Sequence, residues 1–250
     1  MQRMGDGRGS GDSPGDLHGK VRVWDAPTRL FHWLLAALVL FAWVSWRYSE
    51  ALGDPTLKLH RWNGHAVLVL IVFRLLWGFA GSSTSRFSAW LWWPWTAMAY
   101  ALRLLRGQTP LYLSHNPLGS YMVLALLGAV TAQGVLGLFT VEHNDITAGP
   151  LYRMISEERQ KVITHWHTWW FYWVILALVP IHILANVWYG LAKKEPLITA
   201  MITGKKPAEA YEDAPEAVLV SRPLPRALLC LVVATALVFG TIFALGGKML

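Results

Sequence analysis

The chain has 250 residues, 54% of them hydrophobic and only 15% charged, with a formal net charge of +7. That composition excludes an ordinary soluble domain and points to a chain that crosses a lipid bilayer. The apolar runs are continuous, so helices rather than alternating barrel strands are the spanning elements. The single cysteine, Cys230, excludes disulfides within the chain and the C-x-x-C-H attachment of covalent haem.

Taken in chain order, residues 1–21 open with "MQRMGDGRGSGDSPGDLHG" and read as a disordered cytoplasmic tail. No apolar stretch with a small-residue cleavage site follows the start, so a signal peptide is not expected. Five segments are then long enough to span a bilayer, which takes about 20 residues. They are 30–46, 62–80, 118–139, one within 162–192, and 227–247. The fourth exceeds one bilayer thickness and is expected to tilt or project. Between the second and third lies "AWLWWPWTAMAYALRLLRG" (89–107), with Pro94 early and Arg103 and Arg106 late. Its Trp-rich start and basic end predict an interfacial amphipathic helix rather than a span. The expected division is a tail (1–21), a transmembrane bundle (22–206), a cytoplasmic linker (207–225) and an extra C-terminal transmembrane helix (226–250).

With five spans, the tail shares a side with the 81–117 and 193–226 loops. That side carries fourteen Lys and Arg, and the other carries seven. The positive-inside rule puts the N-terminus in the cytoplasm and the C-terminus outside. The positive charge is thus mostly a topology signal, and no nucleic-acid partner is read from it.

Nine histidines occur. His18 falls in the tail and His143 in an outer loop, both read as solvated. The other seven sit at or within spans: His32, His60, His65, His115, His165, His167 and His182. His32 lies in the apolar run "RLFHWLLAALVLFAW", where a polar ring costs free energy unless it has a partner. By depth, His32 pairs with His182 near the inner face. His60 pairs with His165 or His167 near the outer face. His182 follows His167 by 15 residues, about 22 Å of rise and roughly 60° of rotation. One helix can therefore serve two sites on one broad face, and His167 fits this better than His165. Facing imidazoles from different helices suit the two axial positions of a haem iron. Zinc would want three or four ligands at one depth. Ala36 and Gly64, one turn on from His32 and His60, leave room for a flat macrocycle. A single histidine at a span end is more simply an interfacial hydrogen-bonding residue; His182, buried mid-span, is not.

The stretches "VWDAPTRLFHWLLAALVLFAW", "HRWNGHAVLVLIVFRLLWGFAGS", "HNPLGSYMVLALL", "HTWWFYWVILALVPIHILANVWYG" and "LITAMITGKK" together resemble the bacterial dihaem b-type cytochromes. That family includes cytochrome b561 and the cytochrome b subunits of nickel–iron hydrogenases and formate dehydrogenases. The resemblance implies an all-α membrane protein: a four-helix bundle around two non-covalent b haems, here with a fifth C-terminal helix. Carried over, the haem ligands are His32, His60, His167 and His182, paired His32–His182 and His60–His167. The family usually separates its two fourth-span histidines by 14 residues, which here falls on Thr168, so His165 stays an alternate to His167. His65, where the family often has an aromatic, is a second alternate. Arg74 matches the family and is expected either to meet a haem propionate or to snorkel to the interface. His115 and Asn116, at the start of the third span, are expected to border a quinone pocket.

The expected function is that of an electron-transfer subunit of an oxidoreductase complex in the bacterial inner membrane. It would carry electrons between an outer redox partner, a c-type cytochrome or oxidoreductase subunit, and the quinone pool or an inner acceptor. Two other readings are a stand-alone superoxide or ferric oxidoreductase and a haem or metal transporter.

Overall fold

A computed structural model describes residues 19–141 and 148–247. The expectations for most of the tail, His18 and His143 fall outside these described residues.

The first helix, α1 (Ala26–Arg47), starts where the sequence changes from strand to apolar run. Asp25 caps it by accepting the Thr28 amide at 2.8 Å, and Pro27 occupies its first turn. A single turn, α2 (Ser49–Leu52), and Gly53 at φ +81° then reverse the chain into α3 (Asp54–Ala80). Two short helices follow, α4 (Phe87–Trp90) and α5 (Pro94–Leu105). They cover the segment expected to lie at the interface, and α5 carries Trp93 and Trp95 stacked and exposed at its start. Asn116 caps α6 (Pro117–Gly137) through its side chain.

Ser156 caps α7 (Glu157–Trp170), with Glu157 and Glu158 favourably placed in its first turn. A π-helical turn at Phe171–Ile175 joins it to α8 (Leu176–Ala192). Together they make one continuous helix of 36 residues. At 1.5 Å per residue that is about 54 Å, against roughly 30 Å of hydrocarbon. The chain closes with α9 (Leu197–Thr203) and α10 (Pro223–Ala244).

Among the described residues five helices are long and apolar enough to cross a membrane, and they coincide with the five expected spans. The protein is a multi-pass membrane protein. Its centre is α3, whose most apolar window is 61% buried, whereas the corresponding windows of the other four are 11–17% buried. Those four present Leu40, Phe41, Leu124, Ile183, Leu184, Leu228 and Leu229 outward, as lipid-facing helices do. The added helix α10 packs on α3 and α1. Its Ala234 is fully buried in one cluster with Phe31, Val69, Leu70, Phe73 and Trp77, so α10 is part of the core.

At one end, β1 (Lys20–Arg22) pairs antiparallel with β2 (Lys205–Pro207), Lys20 opposite Pro207 and Arg22 opposite Lys205. The strand takes in Lys20 and Val21, the last residues assigned to the tail. Val23, Trp24, Leu113 and Ala200 pack beneath it. This is called the sheet end below, and the opposite end the far end.

Candidate functional site

At the far end, α3 brings His60 to within 6.4 Å of His167 on α7, measured between ring centres, with the rings nearly perpendicular. Each ring is oriented through Nδ1. His60 Nδ1 donates to the Ala42 carbonyl at 2.9 Å, with Ser45 Oγ at 3.3 Å. His167 Nδ1 donates to the Gln133 carbonyl at 3.1 Å. A backbone carbonyl on one imidazole nitrogen sets the tautomer in which the other can bind a metal. Gln133 Nε2 stands 3.2 Å from His167 Nε2. His167 Nε2 would hold a metal in place of this amide, whose own Oε1 is buried without a hydrogen-bond partner.

A cavity opens beside the pair, lined among others by Val39, Gly64, Val67, Gly134 and Phe171. A Cβ on Gly64 would meet nothing within 4 Å, so this residue leaves open space one turn from His60. A Cβ on Gly137 would lie 3.1 Å from the His167 ring, so the bare backbone there lets α6 approach the imidazole. His165 is exposed and lies with Trp169 and Trp173 on an outward aromatic surface. It is His167, not His165, that meets His60.

At the sheet end, His32 on α1 and His182 on α8 face each other with ring centres 6.3 Å apart. His32 Nδ1 is buried without a hydrogen-bond partner. Asn186, one turn beyond His182, donates to the His182 carbonyl at 2.7 Å and lies 3.4 Å from its Nδ1. Arg74 is 4% exposed, and its Nη1 has no hydrogen-bond partner. Its guanidinium lies over Phe87 at 5.1 Å and Trp90 at 5.7 Å. The side chain therefore does not snorkel; the buried Asp25 carboxylate acts on it electrostatically, and Nη1 is left open to a further acceptor.

His115 packs between Trp24 and Trp90, at 5.0 and 5.3 Å. Burial first, then the charges of Arg74 and Lys206, push its pKa down to about 3. It is therefore neutral at physiological pH. Asn116 Oδ1 accepts the Gly119 amide at 2.8 Å and is engaged as a helix cap.

The spacing of the pairs can be compared with that required by an iron between two imidazoles. A metal–imidazole bond of about 2 Å on each side, plus about 1 Å from nitrogen to ring centre on each side, gives roughly 6 Å between centres. Both pairs meet this. Among the described residues no three His, Cys, Asp or Glu side chains converge as a metal cluster, so the ligands come in twos. The unpartnered His32 nitrogen, the open space at Gly64 and the pair spacing together fit b-type haem.

The π turn at Phe171–Ile175 lies between His167 and His182. Such a turn inserts one extra residue into an α-helix. The 15-residue spacing is thereby equivalent to the 14-residue spacing of an uninterrupted helix, and His167 stays on the face it shares with His182. Pro180, inside α8, cannot donate to the Leu176 carbonyl, so the wide turn and the proline loosen neighbouring stretches.

Two residues were not singled out from sequence. Gln133 is a polar residue one turn from the end of the third span, where a lone amide gives only a weak signal. Asp25 is 4% exposed and organises the sheet end. Its carboxylate accepts from Thr28 N, Trp77 Nε1 (3.3 Å), Ser82 N (3.3 Å) and Ser85 Oγ (3.2 Å). The signal was the helix-start pattern Asp-Ala-Pro.

An all-helical membrane bundle that sets imidazoles in facing pairs is the frame of a membrane cytochrome. The chain matches the family described as prokaryotic cytochrome b561 over residues 23–204, and it belongs to that family. It is thus a b-type membrane cytochrome, an electron carrier. Two relatives are both named "Probable Ni/Fe-hydrogenase B-type cytochrome subunit". The chain is 24% identical over 235 residues to the one from Rhizobium leguminosarum bv. viciae, covering 79% of this chain and 96% of the relative. It is 25% identical over 224 residues to that of Bradyrhizobium diazoefficiens, covering 74% of this chain and 85% of the relative. No solved structure gives a significant match.

Proposed function

We propose that the protein holds two b haems, one between His32 and His182 and one between His60 and His167, and conducts electrons across the bacterial inner membrane between them. The observation that carries this is the presence of two imidazole pairs, at 6.3 and 6.4 Å, at opposite ends of one bundle. Bound haem supplies reversible one-electron chemistry. The chain supplies the rest. The Ala42 and Gln133 carbonyls hold His60 and His167 in place. Phe31, Val69, Phe73 and Ile175 keep the interior apolar. Arg74 offers its unpartnered Nη1 to a haem propionate at the sheet end.

The Lys and Arg bias puts the sheet end in the cytoplasm and the C-terminus in the periplasm. The far-end haem then faces a periplasmic or membrane redox protein. The relatives' names suggest an oxidoreductase of the nickel–iron hydrogenase kind, making this chain the electron-transfer subunit of a complex. A quinone is the partner at the sheet end, near His115 and Asn116.

The test is a dithionite-reduced minus oxidised spectrum of the detergent-purified protein, with pyridine haemochrome quantitation. Two low-spin b haems per chain are expected. One haem would remove a histidine pair from the proposal, and none, from cells able to insert haem, would overturn it.

A further inference from the structure

Every buried polar group of the two pairs has a use, but one buried imidazole beside them has none. His65 is 3% exposed, and both of its ring nitrogens are buried without a hydrogen-bond partner. A ring in that state is an exception among native structures and demands a partner. Its ring neighbours, Trp62 at 5.6 Å and Phe239 at 5.8 Å between ring centres, make no hydrogen bond to it. Phe239 belongs to α10, which lies beyond the family match that ends at residue 204. His65 is therefore sealed by an element outside the matched region.

The ring is nonetheless placed to reach a ligand. His65 and Arg61 both line the far-end cavity, together with His60, Gly64 and His167. They lie one turn apart, on the same edge of α3, and Arg61 acts electrostatically on His65. Five residues separate His65 from His60, about 140° of rotation, so the ring flanks the ligand position without competing for it. An imidazole N–H beside a guanidinium, in the wall of a mainly apolar cavity, suits a carboxylate. The group proposed for this cavity carries two carboxylates on one edge.

We infer that His65, with Arg61, binds a propionate of the far-end haem and that Phe239 of α10 keeps this contact dry. This rests on the two-haem reading. A donor on the propionate offsets its negative charge, which otherwise favours ferric iron. The contact therefore raises the potential of that haem.

The experiment is a spectroelectrochemical titration of the purified, haem-loaded full chain, comparing wild type with His65→Phe and His65→Gln. Phenylalanine keeps the packing on Trp62 and Phe239 and removes the donor. Glutamine keeps a donor. Both variants should retain two haems. In His65→Phe one potential should fall, that of the haem missing from His60→Ala, and the other should stay. In His65→Gln most of the fall should be restored. A resonance Raman shift of the propionate bending mode should accompany the change. Unmoved potentials in His65→Phe, equal movement of both haems, or loss of haem in both variants would overturn the inference. Fewer than two haems in the wild type would overturn the two-haem reading, and this inference with it.

Discussion

The two histidines at the start of the fourth span differ in what surrounds them. His167 is held by the Gln133 carbonyl and faces His60, while His165 is exposed beside Trp169 and Trp173. His167→Ala should therefore remove one haem of two, and His165→Ala should leave both, as counted by pyridine haemochrome. Gly64 leaves open space in the same cavity. Gly64→Leu places a side chain there and should lower haem content toward one per chain without loss of the folded protein, as judged by size exclusion in detergent. His115 gives a pH dependence. Its pKa of about 3 lies below the usual 6.5, so the unfolded chain takes up a proton first as pH falls. The stability it contributes by staying neutral is present above pH 6.5 and is lost on acidification toward pH 3. The thermal midpoint in detergent should drop between pH 7 and 5, and drop less in His115→Gln. His32 and His182 were legible because a polar ring in an apolar run has few bland explanations, and His60 only through the depth it shares with the start of the fourth span. Gln133 and Asp25 were not, because what they do depends on groups that only the fold brings to them: His167 for one, Trp77 and Ser85 for the other.

The spans themselves were legible as elements, since length and hydropathy decide them, and Asn116-Pro117 announces the start of α6. The π turn was not. Rotation counted at 100° per residue assumes an unbroken α-helix, and "FYWVI" carries no signal of a wide turn. The predicted consequence is an asymmetry between two one-residue changes. Deleting Val174 should convert the wide turn to an α turn and keep both haems. Inserting an alanine after Val174 should turn α7 by about 100° relative to α8 and cost the far-end haem. Equal effects from the two changes would count against the register argument.

For the molecule as a whole, five crossings were legible but their neighbours were not, because hydropathy reports that a helix is apolar and not what it touches. The fifth helix looked like an appendage. It instead buries Ala234 against α3 and holds Phe239 on His65. Truncation before Pro223 should therefore lower thermal stability and perturb the far-end haem spectrum more than the sheet-end one. An unchanged spectrum and midpoint would show α10 to be dispensable for the bundle.

The small sheet has a consequence in time. Its strands lie at residues 20–22 and 205–207, so β1 waits through the synthesis of four spans before it can pair. His32 and His60 wait in the same way for a partner on the fourth span. Neither pair exists on a nascent chain of two or three spans, however well each helix inserts. The β1–β2 pairing is then the clasp that shuts behind the fourth span.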